Sequence, residues 1–264
     1  MVDSLRVVRH ALLRTGLLCV GGALLCCHTF ALAVTVSDST FANTDWTITS
    51  FSSFNGGTAS AAQVASGGNP GPYRNVVDTL NNGGLPSVVL GVSIYTPFTY
   101  TPAVSGAITS LNYSEDAACT SGCFGSGQST GPAVLQGGVI YVLGSSSVIT
   151  GPGAAFANHS LSGLTAADFG GVSLTGSTFV DNSVHPNFSA GGAPIQFGFL
   201  RSNGTGPGGI GYTLAAGIDN WQVTINSTAP PSVGTTIPTL GSMEMVLLAF
   251  AIGLLGLFYS RRMG

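Results

Sequence analysis

An antiparallel β-sandwich, an all-β fold of jelly-roll kind, is what this sequence predicts, and three observations predict it. Short runs of β-branched and aromatic residues recur through the middle of the chain, some alternating with polar residues and some continuously apolar. Clusters of glycine, proline and asparagine separate them: "GGNPGPY", "NNGG", "GPG" and "NGTGPGGIG". Between these clusters no stretch of about 12 residues keeps a helical period with good helix formers. The low charge agrees: 6% of the 264 residues are charged and 44% are hydrophobic, as suits strands covered on one or both faces.

Taken in order from the N-terminus, the first element lies outside that domain. Arg6, Arg9, His10 and Arg14 form a positive region, and "GLLCVGGALLCCHTF" follows as an apolar one. Ala31-Leu32-Ala33 is the small-x-small pattern that signal peptidase accepts, so residues 1–33 are expected to be a signal peptide cut after Ala33. An uncleaved signal anchor is the alternative. The β-domain then spans residues 34–226. In "DWTITSF", Trp46 and Ile48 take one face and Thr47 and Thr49 the other. "SVVLGVSIY" is continuously apolar, as expected of a strand covered on both sides. "AVLQGGVIYVLG" is expected to be a strand with a bulge at Gly137-Gly138. "IQFGFLRS" groups Ile195, Phe197 and Phe199, and "GIDNWQVTIN" groups Trp221, Val223 and Ile225 opposite Gln222 and Thr224. Residues 227–236 form a Pro/Ser/Thr-rich linker.

Residues 237–264 read as a membrane segment. Leu240 to Tyr259 is interrupted only by Gly, Ser and Glu244, and at ~1.5 Å per residue it spans ~30 Å, a bilayer core. Arg261 and Arg262 follow at once, which keeps that end cytoplasmic and the preceding domain outside. One transmembrane helix over about 240–259 is therefore expected. A buried core helix would rarely be followed directly by two arginines and a chain end.

The motif Ile237-Pro238-Thr239-Leu240, then a single span, then Arg261-Arg262 resembles the IPTL-CTERM sorting signal of Gram-negative bacteria, a relative of the PEP-CTERM signal. The resemblance implies recognition by an exosortase-like membrane cysteine protease, cleavage near the motif and transfer of the ectodomain towards the cell surface. Gly241-Ser242-Met243-Glu244 stands where that family commonly has Ser-Glu-Trp. "GGNPGPYRN", "HPNFSAGGAPIQFGFLRSNGT" and "GIDNWQVTI" resemble ectodomains of PEP-CTERM-type surface proteins, and the last also resembles the closing strand of concanavalin- or laminin-G-like sandwiches. That likeness implies a fold and a loose association with glycans.

Charge excludes nucleic acid as a partner. The seven basic residues are all arginine, and only Arg74 and Arg201 lie between the two ends; a phosphate backbone needs a basic patch. Of five cysteines, three lie in the signal peptide. The remaining pair, Cys119 and Cys123 in "CTSGC", reads as a disulfide in an exported chain, and no histidine lies close enough in sequence to favour a metal site instead.

Motif matches carry little chemistry. "GQSTG" around Ser129 fits GxSxG but has Pro132 where an elbow needs a helix. "GPGGIG" at 206–211 fits GxGxxG but precedes a strand. Glu115 and Asp116 are adjacent and so point to opposite faces of a strand; Glu115 with Asp168, Asp181 or Asp219 is the remaining way to build a glycosidase pair. His159 and His185 read as loop histidines. Asp219 and Asn220 beside Trp221, helped by Asp45 or Asp38, offer oxygens for Ca²⁺; the competing reading is a turn in which the aspartate caps backbone amides. No other cofactor is expected. Together these point to an exported, non-catalytic cell-envelope protein with a matrix, adhesion or glycan-binding role. Its precursor would be anchored in the inner membrane with a periplasmic ectodomain, its mature form at the cell surface, and extracellular polysaccharide its partner. A secreted polysaccharide hydrolase is the alternative.

Overall fold

The computed structural model describes residues 32–122, 128–143, 147–149, 155–173 and 180–230. The expected signal peptide as far as Ala31, Cys123, the GPG sequence at 151–153 and everything from Pro231 of the expected linker through the IPTL motif and Arg261-Arg262 lie outside the described residues. Among the described residues no helix is long and apolar enough to cross a membrane.

In chain order the strands are β1 (Leu32–Asp38), β2 (Trp46–Phe54), β3 (Gly57–Gly68), β4 (Gly71–Leu80), β5 (Ser87–Tyr95), β6 (Ile108–Ser121) and β7 (Gln128–Gln136). They continue as β8 (Val139–Leu143), β9 (Ser147–Ile149), β10 (Ala157–Leu164), β11 (Phe169–Val172), β12 (Val180–Asp181), β13 (Ile195–Thr205) and β14 (Thr213–Ser227). A single α-turn at Pro102–Ser105 and a 3-10 turn at Ala166–Asp168 complete the described elements. One sheet runs β10-β6-β14-β4-β3, with β1 also on β14; the other runs β12-β11-β8-β7-β13-β5-β2, with β9 on β7. Every pairing among the described residues is antiparallel, so they adopt the predicted two-sheet, all-β architecture.

The β14 strand organises the first sheet. β6 pairs along one side of it, while β4 takes residues 213–218 and β1 takes 221–227 on the other. Between Asp219 and Gln222 the register with β6 shifts, and Asn220 has a φ of 49°. Four residues of β14 there face three of β6, which is a β-bulge. The extra residue reverses the alternation. Leu214, Ala216 and Ile218 point inward before it, and Trp221, Val223 and Ile225 point inward after it. Without the bulge Trp221 would face solvent.

The predicted groupings on β2, β13 and β14 meet in the core between the sheets. Trp46 packs edge-on against Trp221 with ring centroids 4.9 Å apart, and Phe41, Tyr95 and Phe199 surround it. Each large apolar side chain so buried contributes about 1.5–3 kcal/mol. The apolar run of β5 is covered on both faces, as expected. Val89 packs inward with Ala59 and Leu80; Leu90, Val92 and Ile94 form a second cluster with Ala133, Val142 and Leu200.

One expectation is corrected. Gly137-Gly138 is not a bulge within one strand but the turn of the β7–β8 hairpin, closed by the Gln136–Val139 pair. Both glycines have positive φ, 59° and 81°, the conformation of a two-residue hairpin turn whose twist matches the flanking strands. The apolar run on either side therefore belongs to two neighbouring strands.

The edge of β3 is blunted from β2 of the opposite sheet and from the β1–β2 loop. The Ala59 amide donates to Ser50 Oγ at 2.7 Å and the Gln63 amide to Asn43 Oδ1 at 2.9 Å. Outward N–H groups that could template another strand are thereby occupied. At the start of the domain, β1 already pairs at Leu32 and Ala33, so a cut after Ala33 would remove the first two pairs of that strand.

Candidate functional site

The outer face of the six-stranded sheet carries the most organised exposed chemistry among the described residues. Alternation on β6 puts Asn112, Ser114 and Asp116 on this face, while Tyr113 and Glu115 point inward. β10 adds Asn158 and Ser160, which pair with Asp116 and Ser114. β4 adds Tyr73, and the chain entering β10 adds Phe156.

Asp116 is the hub of an amide fan. Asn220 Nδ2 donates to its Oδ2 at 2.7 Å, Asn69 Nδ2 to the same oxygen at 3.1 Å, and Asn158 Nδ2 to its Oδ1 at 3.0 Å. Asn220 Nδ2 also donates to the Asn69 carbonyl at 2.6 Å, and Asn158 Nδ2 to the Glu115 carbonyl at 3.3 Å. A carboxylate only accepts, so each amide must turn its nitrogen inward. Burial acts to raise the Asp116 pKa, but these three amides and the charge of His159 outweigh it and hold the group below its ordinary value.

The bulge and a tight turn build this fan. Asn69-Pro70 is a cis peptide between β3 and β4. Asp219, fully buried, accepts the Asn69 amide on Oδ2 and the Asn220 amide on Oδ1 at 2.7 Å. It thus fastens the turn to the bulge. Beside the fan, Tyr73 and Phe156 meet edge to face at 5.4 Å over Gly217. A Cβ at Gly217 would lie 2.8 Å from Tyr73 and 2.9 Å from Phe156, so the glycine lets both rings settle onto the strand. Further along the same face, a groove of about 320 Å³ is lined by Asn112, Ser114, Ser160, Ser162, Gln222 and Thr224.

The proposed calcium ligands divide. Asp219 and Asn220 come together, but Trp221 turns the other way into the core. Asp45 bonds Thr44, and its carbonyl accepts from Thr96. Asp38 accepts from the Trp46 indole at 2.7 Å and from Thr40 and Phe41 amides. Its burial would raise its pKa, yet those bonds keep it lowered. The oxygens of Asp219 hold backbone amides, the arrangement of a capping aspartate. Among the described residues no group of three or more His, Cys, Asp or Glu is placed to hold a metal.

The other candidates are also placed. Ser129 lies within β7, paired with Ser202, and is no elbow. Residues 206–211 form the β13–β14 loop. Glu115 is sealed between the sheets. Arg201 Nη1 approaches it at 3.2 Å, Thr130 Oγ1 donates to it at 2.5 Å, and the Tyr113 hydroxyl donates to it as well. Burial, then the neighbouring Glu115 charge, pushes the Tyr113 hydroxyl well above its ordinary pKa. Asp168 caps the turn after Thr165, and Asp181 accepts from Ser183. His159 pairs opposite Glu115 on β10, and His185 Nδ1 bonds the Phe169 carbonyl at 2.6 Å. Cys119 is buried on β6, and its expected partner Cys123 lies outside the described residues. Sequence reasoning did not find Tyr73, Phe156, Asn69 or Asn158; the Asn-Pro turn and the Asp-Asn pair were the available signals.

No family model matches the chain, and no curated protein does. Solved structures do show a likeness. A family 11 carbohydrate-binding module from Clostridium thermocellum, in complex with a β-1,3-1,4-mixed-linked tetrasaccharide, is 12% identical with a TM-score of 0.40, over 75% of this chain and 98% of that one. A structure of carbohydrate-binding modules of the β-sandwich superfamily, described for their promiscuous specificity, is 10% identical with a TM-score of 0.32, over 73% of each chain. SGBP-B from a complex xyloglucan utilization locus in Bacteroides uniformis is 14% identical with a TM-score of 0.29, over 63% of this chain and 46% of that one. None of these is near enough to carry a ligand or a residue role across.

Proposed function

We propose that this chain is a non-catalytic glycan-binding protein of the cell envelope, a jelly-roll sandwich that binds on the outer face of its six-stranded sheet. One observation carries the reading: an aromatic pair, Tyr73 and Phe156, sits beside a fan of amides fixed on Asp116. A sugar ring has apolar C–H faces and a rim of hydroxyls. An aromatic side chain takes the first and orienting amides the second. The hydrolase alternative would need two carboxylates facing each other across a cleft. Glu115 is closed inside the sandwich, and both Asp116 oxygens already accept amides.

The test is affinity electrophoresis of the full chain through gels containing soluble polysaccharides. Retardation by at least one polysaccharide is expected. Tyr73→Ala and Phe156→Ala are each expected to weaken binding about tenfold, roughly 1.4 kcal/mol, with the melting temperature little changed. Retardation unchanged in both variants would place the binding face elsewhere.

Export and sorting are part of the same proposal and rest on the sequence. A plain anchor would not depend on Pro238, whereas a protease reading an extended motif would, because proline fixes its own φ and holds Ile237 extended. Pro238→Ala with Thr239→Ala is expected to leave insertion intact and block release of the ectodomain in a host with the matching exosortase-like enzyme. Processing at the wild-type rate would reduce the tail to an anchor.

A further inference from the structure

We infer that the site on the six-stranded sheet takes a neutral glycan chain laid along β6 from Asp116 to Asn112 and rejects acidic polysaccharides. The inference rests on the glycan-binding reading above and names the class of glycan. Hydrogen-bond polarity is the first reason. Asn158 and Asn220 each donate twice from Nδ2, to Asp116 and to a backbone carbonyl. With two hydrogens per amide nitrogen, neither has a donor left. What they present outward is a carbonyl oxygen, an acceptor. Sugar hydroxyls can donate to it; the carboxylate or sulfate group of an acidic sugar cannot.

Charge is the second reason. Asp116 is held ionised by its amides, and Asp219 is its cross-strand neighbour on β14. No lysine exists in the chain, and the only two arginines between the ends, Arg74 and Arg201, are 2% and 0% exposed. Both are committed inside, Arg74 over the Trp46 ring and Arg201 against Glu115. A polyanion placed here would meet a carboxylate and no lysine or arginine, with the His159 imidazole of β10 the one nearby group able to carry positive charge among the described residues. Bound acidic groups are held by charge-assisted donors, arginine above all.

Extent is the third reason. Ser114 and Ser160 lie two residues from Asp116 and Asn158 on the same face, and Asn112 and Ser162 two further on. At ~3.4 Å per residue the strip from Asp116 to Asn112 is ~14 Å long. Hydroxyls and the amides of Asn112 and Gln222 line the groove at that end. Such groups donate or accept as required and carry no charge, so an extended chain of uncharged sugars meets uncharged partners throughout.

Two gels decide it, one containing a soluble neutral β-glucan and one containing polygalacturonate, each run with the full chain at low salt and at about 0.5 M salt. Expected is retardation by the neutral polymer, insensitive to salt, with an apparent affinity at least about tenfold above that for polygalacturonate. Asn158→Lys, which sets a cation on the rim, is expected to raise retention on polygalacturonate at low salt. Equal or stronger wild-type binding to polygalacturonate, lost at high salt, would overturn the charge selection while leaving glycan binding standing. Retardation by neither these nor any other polysaccharide would overturn the glycan reading itself.

Discussion

Glu115 and Asp116 are neighbours in sequence and live in different solvents. Glu115 faces the interior, fully buried, and its charge is answered by Arg201, Thr130 and Tyr113. Asp116 faces outward, and neutral amides answer it. Strand alternation alone separates them. The difference teaches how a chain this poor in charge distributes its few ionic groups. One carboxylate joins the two sheets through a buried arginine; the other orders a surface chiefly through neutral amides. The first is therefore a matter of folding and the second, in the function proposed above, a matter of recognition.

The sharpest way to break the comparison is to remove the inner cation. Arg201→Met leaves Glu115 buried without its partner and is expected to cost about 3–5 kcal/mol in urea denaturation. Adding Glu115→Gln should recover much of that loss, since the penalty comes from the orphaned charge and not from the missing pair. If the double variant is no more stable than the single one, the seam contributes through packing.

A second inner carboxylate makes the interior respond to pH. Burial pushes the Asp78 carboxyl up to about 7, against the lowering effects of Gln128 and Arg201. Between about pH 4 and 7 the folded protein holds this proton and the unfolded chain does not. Stability is therefore expected to fall as pH rises through that window, by a few kcal/mol, and then to level off. Asp78→Asn should flatten the profile, which melting temperatures across pH would show. A slope of the same size in the variant would assign it to other groups.

On the outer face, effects on binding should exceed effects on folding. Gly217→Ala puts a Cβ 2.8–2.9 Å from the two rings. Half-buried rings at the surface can swing aside, so the melting temperature should move by the equivalent of about 1 kcal/mol or less. Glycan retardation should drop with the displaced platform. Equal losses of both would mean that the rings belong to the core.

A limited effect is expected from Cys119→Ser with Cys123→Ser. The proposed bond closes a very short loop, worth about 2 kcal/mol at most by chain entropy. Thiol labelling of the natively purified protein should modify neither cysteine before reduction; labelling of both would exclude the bond.

Much of the fold was legible because strand alternation is a local signal. Trp46 with Ile48, the Phe197–Phe199 pair and the Trp221–Ile225 triplet all fall where a two-residue period puts them. The opposed directions of Glu115 and Asp116 were legible for the same reason. Gly137-Gly138 was misread because an apolar run looks the same whether it continues or turns back. The positive φ at both glycines and the Gln136–Val139 pairing distinguish the two. The amide fan was not legible at all. Asn69, Asp116, Asn158 and Asn220 come from a turn and three strands, and long-range pairing of β6 with β10 and β14 assembles them. Asn220 was noticed beside Trp221, but alternation puts the two on opposite sides of the sheet, and the bulge between Asp219 and Gln222 makes Asn220 the outward one.

The pairing of β1 with the end of β14 also has a mechanical meaning. Ser227, where the chain leaves for its tail, lies opposite Leu32, where it enters the domain. The Asp116 fan sits farther back along the same β14 strand, at the bulge. If the tail tethers the protein and a captured polymer is dragged away, tension enters near Asn220 and leaves at Ser227. It runs lengthwise down a strand flanked by β6 on one side and β1 on the other. Tension in that direction shears the ladder, loading its rungs together rather than peeling them one at a time. The segment between ligand and tether is thus the part of the domain best arranged to bear force.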